Sequence, residues 1–191
     1  MGHSKTNKAE SRERIVSAAA RQIRAGGLES VSIAELMKTA GLTHGGFYGH
    51  FPSRSALLVA ALDRALTDGA KASSDSRHDA PNQFARLVRS YVSSAHRDHA
   101  DSGCAVTALA AEAARAGNDV RAVMRNHVQT FIGDTAAMIG DDEAARETAM
   151  AAWCTMVGAI SLARLFEDEP LADDILVAAR RSLLSVEPTS S

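Results

Sequence analysis

Aromatic residues are scarce in this chain, at 4% of its 191 residues, and no stretch alternates apolar with polar residues as a half-buried strand does. Strands draw on β-branched and aromatic side chains, so this shortage argues against sandwiches and barrels. The two cysteines, Cys104 and Cys154, cannot build a disulfide framework and fit a reducing compartment. A signal-peptide core is missing from the N-terminus, and no apolar run reads as long enough to cross a bilayer, so the expected location is the cytoplasm, with no membrane partner. The Met1-Gly2-His3-Ser4-Lys5-Thr6 start matches the crude myristoylation pattern, which is read as a chance match. The residues supply no nucleophile–base–acid constellation, no phosphate loop and no cysteine pair at zinc spacing. An enzyme, a cofactor and a metal site are therefore not expected.

What is abundant is alanine, the best helix former, within a hydrophobic content of 46%. An all-α protein with a substantial core follows. The net charge of -2 is uninformative, but its distribution is not. Residues 1–66 hold 9 Lys/Arg against 5 Asp/Glu, and residues 67–191 hold 12 against 18. A basic first third on an acidic remainder places a polyanion at the N-terminal end.

Helix signals recur along the chain. After a polar, mobile start, Asn7 is the predicted cap of a first helix carrying Ile15, Ala19 and Ile23 and stopped by Gly26-Gly27. Ser32-Ile33-Ala34-Glu35 reads as a capping box opening a second helix, ended by Gly41. Thr43 opens a third short helix that Pro52 terminates near Phe51, and Ser53 caps a fourth with Leu57, Leu58, Ala61 and Leu62. Residues 69–81 are the best loop candidate. Helices are then predicted over about 82–98, 104–116, 119–139 and 142–167, and from Leu171 to about Val186.

Two short helices joined by a glycine turn form a helix-turn-helix, a layout that presents one rod to the major groove on a rigid partner. The rod, residues 43–51, carries three glycines, each costing up to about 1 kcal/mol against alanine. A purely structural helix would avoid them, whereas bare backbone at Gly45 and Gly46 permits close approach to DNA. Phe47 and Phe51, four apart, face inward. Tyr48 and His50 point elsewhere and suit phosphate oxygens. Thr43 offers a hydroxyl and free N–H groups, and His44 comes next, within reach of a base. Ser32, and Ser53 with Arg54, offer further exposed N–H groups and a cation at helix starts. Lys5, Lys8 and Arg12 are read as an arm toward the minor groove or backbone, with a solvated basic tail as the alternative for Lys5 and Lys8.

Ser32-Ile33-Ala34-Glu35, then residues 40–54 from Ala40-Gly41-Leu42-Thr43 through Phe51-Pro52-Ser53-Arg54, then Leu57-Leu58, resemble the DNA-binding region of TetR-type repressors. The resemblance covers the first third of the chain. It implies a nine-helix fold, with a helix-turn-helix domain over residues 1–52 and a ligand-binding and dimerisation domain over 53–191. It further implies a homodimer on palindromic double-stranded operator DNA, released by a small-molecule inducer. The family pattern often carries lysine where this chain has His44 and Arg54. Arg54 keeps the charge, while neutral His44 favours base contact over phosphate contact.

The long helix near 142–167 is apolar on more than one side, which implies burial against both the protomer core and a partner. Ala152, Met156, Ala159 and Leu162, with Ile175, Ala179 and Leu183 of the last helix, are the candidate dimer interface. Candidates for an apolar ligand pocket are Phe84, Tyr91, Met124, His127, Phe131, Trp153 and Val157, with Cys104. Cys104 has two readings. At a helix start its thiolate is favoured, and it is a candidate sensor of oxidants or electrophiles; alternatively it is a small buried hydrophobe. His96, His99 and Cys104 are a weak metal set.

Overall fold

The computed structural model describes residues 2–75, 82–166 and 169–185. Within them the chain forms nine α-helices and three 3-10 segments, and no strand. The all-α architecture agrees with the alanine-rich composition.

Helix α1 (Gly2–Gly26) starts earlier than expected. Asn7 lies inside it rather than capping it, because neither proline nor glycine interrupts residues 3–25. Its inner face is Ile15, Val16, Ala19 and Ile23, all buried. A 3-10 turn (Leu28–Ser30) leads to α2 (Ile33–Thr39), whose N-cap Ser32 accepts from the Glu35 N–H at 3.4 Å. The reciprocal carboxylate bond of a full capping box is not among the hydrogen bonds of the described residues. At the other end, Leu42 N–H donates to the Met37 carbonyl (2.8 Å) and Gly41 N–H to that of Lys38 (3.0 Å). With Gly41 at φ 72, this is a Schellman stop, and the left-handed turn residue is where glycine is needed.

Ser53 caps α3 (Arg54–Asp75), its hydroxyl accepting from Ala56 N–H at 3.1 Å. This helix runs through half of the stretch read as a loop, and residues 76–81 lie outside the described residues. The single helix predicted over 82–98 is two: α4 (Gln83–Tyr91) and α5 (Ser94–Asp98). The break has identifiable causes. Ser93 turns extended and caps α5 through His96 N–H, and the Val92 carbonyl, freed from the helix, accepts from Arg180 at 2.6 Å. Arg164 then holds the carbonyls of His96 and Arg97 at 2.9 and 3.0 Å.

The remaining helices are α6 (Ala105–Arg115), α7 (Asn118–Ile139), α8 (Glu143–Ala163) and α9 (Pro170–Leu184). A 3-10 turn (Arg164–Phe166) extends α8. Within Glu143–Phe166 an 18-residue stretch has a mean hydropathy of 1.5, so one run is long and apolar enough to cross a membrane, against the expectation. Its interspersed alanines explain both its hydropathy and its use. Ala145, Ala149, Ala152 and Ala159 form the buried face on which neighbouring helices close-pack, and α7 and α9 lie against it.

Two hydrophobic clusters result. One joins α1 and α2 to α3, α6 and the start of α7 through Ile23, Met37, Phe47, Leu62, Leu66 and Leu109. The other gathers α4, α8 and α9 around Val88, Met156, Ile160 and Leu176. Cys104 packs against both.

Candidate nucleic-acid interface

The segment after the Gly41 turn is not an α-helix but a 3-10 helix, His44–Gly49. Gly46 N–H donates to the Thr43 carbonyl (3.0 Å) and His50 N–H to that of Phe47 (2.8 Å). Glycines 45, 46 and 49 lower α-helix propensity over a stretch too short to repay nucleation, so the tighter ladder prevails. Phe47 and Phe51 anchor it. They are 1% and 2% exposed, with ring centroids 5.8 Å apart. The Arg12 guanidinium stacks over Phe51 at 4.9 Å, so this cation is tied to the anchor rather than extended as an arm. The side chain of Lys5 lies outside the described residues, and Lys8 is exposed.

The outward side matches the expectation in most positions. Tyr48 is 72% exposed. Thr43 and His44 are exposed, and the Thr43 hydroxyl makes no cap bond. A Cβ added at Gly45 or Gly49 would meet nothing within 4 Å, so neither glycine is required by the protein's own packing. Gly46 differs, with Met37 and Thr43 side-chain atoms at 3.5 and 3.6 Å from such a Cβ. His50 is half-buried, and its Nδ1 is shielded without a partner. The Ser32 and Ser53 hydroxyls cap their own helices.

Arg54 is the departure. Its Nη2 donates to the Leu28 carbonyl at 3.1 Å and to Glu29 Oε2 at 3.2 Å. The guanidinium therefore turns back onto the α1–α2 connection, and its charge is shared with a carboxylate. Lys38, exposed on the last turn of α2, is a cation that sequence reasoning passed over. A lone lysine inside the helix-turn-helix was the available signal.

Most of the pocket candidates cluster, with Tyr91 and Met124 buried and Phe84, Cys104, His127, Phe131, Trp153 and Val157 half-buried. His127, Phe131, Trp153, Tyr91 and His96 form a row of rings with successive centroids 5.9, 5.3, 5.2 and 4.5 Å apart. Trp153 Nε1 donates to the Phe131 carbonyl and the Thr135 hydroxyl, and His127 pairs with Asp63 at 3.2 Å. Met124 and Val157 belong to the first cluster, and Phe84 packs on the second. Only Tyr91 and Cys104 of this set line one of the described cavities. It is an open groove of about 350 Å³ shared with His96, His99 and several serines.

In that groove His96 Nε2 accepts from the Cys104 N–H at 3.0 Å, and Nδ1 meets the Tyr91 carbonyl at 2.7 Å. This fixes a neutral ring with the proton on Nδ1. Burial pulls its pKa below the ordinary histidine value, helped by Arg164 and opposed by the Tyr91 bond. Burial likewise raises Tyr91 well above its ordinary value, with Cys104 adding to it; the phenol stays protonated beside Thr107 at 2.7 Å. Among the described residues no group of three or more ligating side chains could hold a metal, so His96, His99 and Cys104 do not form one.

Ala152, Met156, Ala159 and Leu183, expected at a dimer interface, are buried inside the protomer at 7% exposure or less. Their surface is already taken by the second cluster, which leaves none for a partner helix. Ile175 and Ala179 are half-buried against the same cluster. Leu162, at 51%, is exposed as expected, and Met150, Leu165, Leu171 and Val177 share that exposure.

A three-helix head whose short, glycine-rich third element stands outward from two buried phenylalanines defines a helix-turn-helix DNA-binding protein. Comparison with known proteins carries this further. Residues 15–61 match the family model described as bacterial regulatory proteins, tetR family. A TetR transcriptional regulator from Chloroflexus aurantiacus superimposes with a TM-score of 0.81 at 22% identity, covering 94% of this chain and 95% of that one. A TetR-family transcriptional regulator from Streptomyces coelicolor is 26% identical, with a TM-score of 0.73 over 93% of this chain and 96% of that one. One from Cytophaga hutchinsonii is 18% identical, with a TM-score of 0.80 over 96% and 98%. Comparison with curated proteins gives no match. Residues 15–61 thus carry the tetR-family DNA-binding region, and the chain as a whole shares the fold of TetR-family transcriptional regulators.

Proposed function

We propose that this chain is a homodimeric repressor that reads a palindromic operator with residues 43–50 and is released by a small, largely apolar ligand. The head of residues 1–52 is the DNA-binding domain, and 53–191 is the sensor and dimer domain of a cytoplasmic protein. The observation that carries the reading is the exposure of Tyr48 at 72%, on a segment whose two phenylalanines are buried and whose Gly45 and Gly49 face open space. Thr43, His44, Gly45 and Gly46 approach base edges and backbone. Tyr48, with His50 presenting Nε2, contacts phosphates. The exposed apolar side chains of α8, α9 and the turn between them, Met150, Leu162, Leu165, Leu171 and Val177, support two-fold pairing there. A two-fold dimer spaces the reading segments roughly 34–36 Å apart, one DNA turn.

The test is a gel shift with duplex from the gene's own upstream region, at rising salt. A shift that weakens steeply with salt is expected. Failure to shift that duplex at low salt would leave a helical scaffold without DNA binding. A second reading keeps the interface but puts the switch at Cys104, favoured by the half-buried thiol lining the groove beside His96 and Tyr91. Cys104→Ser separates the two, since a response to electrophiles that survives the change excludes the thiol.

A further inference from the structure

Leu28 stands where the chain leaves α1 for α2, and side chains from two other helices take both of its backbone polar groups. Its N–H donates to Glu112 Oε2, on the last turn of α6, at 2.7 Å. Its carbonyl accepts from Arg54 of α3 at 3.1 Å. The residue before it, Gly27, has φ 84 and ψ 171, a region essentially confined to glycine. A Cβ there would lie 2.6 Å from Glu112 Oε1. The carboxylate therefore fills the space that a side chain at position 27 would need.

A second contact lies nearby. Arg24 of α1, 8% exposed, donates from Nε to the Asp101 carbonyl at 2.5 Å, a few residues before α6, and from Nη1 to the Ala65 carbonyl at 3.2 Å. Burial lowers its pKa from the ordinary arginine value, opposed by Asp68 and Asp101. α1 is thus held from the approach to α6 and from its last turn.

A buried N–H at a chain turn must find an acceptor. Here the acceptor belongs to a helix 84 residues away, so the bond exists only while α6 keeps its place. Hydrogen bonds of this kind are lost beyond about 3.5 Å, and a shift of α6 by about 1 Å breaks it. The start of α6 is in turn tied to the rest of the sensor domain, through His96 at the Cys104 N–H and Tyr91 at Thr107.

We propose that Glu112 is a positioning residue for DNA recognition. It touches no DNA, but it locks the α1–α2 joint to α6 and so sets the orientation of the reading segment packed on α2. The proposal rests on the DNA-binding reading above and deepens it by naming the link between the two domains.

The experiment compares wild type, Glu112→Ala and Glu112→Gln in three measurements. These are anisotropy with labelled duplex from the gene's upstream region, anisotropy with random duplex of equal length, and hydrogen exchange at the Leu28 amide. Glu112→Ala should raise Kd for the upstream duplex about five- to tenfold and speed Leu28 exchange about tenfold, the scale of one lost hydrogen bond. Affinity for random duplex at low salt should change little. Glu112→Gln, whose amide oxygen still accepts, should recover most of both losses, which a purely electrostatic role would not allow. If no protein binds the upstream duplex, the DNA reading fails, while Leu28 exchange still decides the link. Leu28 exchange as slow in Glu112→Ala as in wild type, or upstream affinity unchanged despite faster exchange, overturns the proposal.

Discussion

Gly27→Ala is the substitution whose cost the structure specifies most closely. At φ 84 and ψ 171 a side chain pays backbone strain of about 1–3 kcal/mol. The added Cβ would also stand 2.6 Å from Glu112 Oε1 and 2.8 Å from Oε2. A carboxylate cannot remain there, so its charge-assisted bond to Leu28 N–H is lost, at about 1.5–3 kcal/mol. The sum is roughly 2.5–6 kcal/mol, a large fraction of the ~5–15 kcal/mol that holds a typical domain folded. At 2–4 °C per kcal/mol for a chain of this size, Tm should fall by roughly 10 °C. Urea titration at fixed protein concentration measures the free energy, and differential scanning calorimetry measures Tm. In the Glu112→Ala background, where the acceptor is already missing, Gly27→Ala should cost only the backbone strain of about 1–3 kcal/mol, so the two substitutions should be less than additive. A loss below about 1 kcal/mol in the single variant would refute the reasoning, since strain alone exceeds that figure over most of its range.

Gly45→Ala should behave oppositely. With open space around it and alanine the better helix former by up to about 1 kcal/mol, stability should hold or rise while operator affinity drops in a gel shift. Tyr48→Phe and His50→Ala should weaken binding to operator and random DNA alike and flatten the salt slope, whereas His44→Ala should relax specificity; anisotropy on both duplexes distinguishes them. Trp153→Phe keeps the stack on Phe131 but strips the Thr135 hydroxyl and the Phe131 carbonyl of their indole donor. A loss of about 1–3 kcal/mol by urea titration is expected. His96 has a folded pKa below its ordinary 6.5, so the unfolded chain binds its proton first. Its contribution is present above that value and is lost as the pH falls through it; Tm should decline less between about pH 7.5 and pH 5 in His96→Gln than in wild type.

The short-range features were determined by the sequence itself. Gly41 had to end α2, because residues 40–42 have no other low-strain way to satisfy the last carbonyls. Ser53 had to open α3, and Phe47 with Phe51 had to face inward at a spacing of four. These depend on neighbours within a few positions, which the sequence displays directly. Only the tertiary structure decided how long-range partners compete for the same groups. Arg54 reads as a phosphate ligand until Leu28 and Glu29 are brought beside it, and Arg12 reads as part of an arm until Phe51 lies under its guanidinium. Ala152 and Met156 read equally well as core or interface on a helix apolar all round, and the choice is made by the side chains of α4 and α9 that pack against them within the protomer. Glu112 carried no local signal, because its role is defined by a backbone amide 84 residues away. Local geometry is set by bonded neighbours and steric exclusion. The assignment of charges and apolar faces is set by contacts between distant segments, and those exist only once the chain has folded.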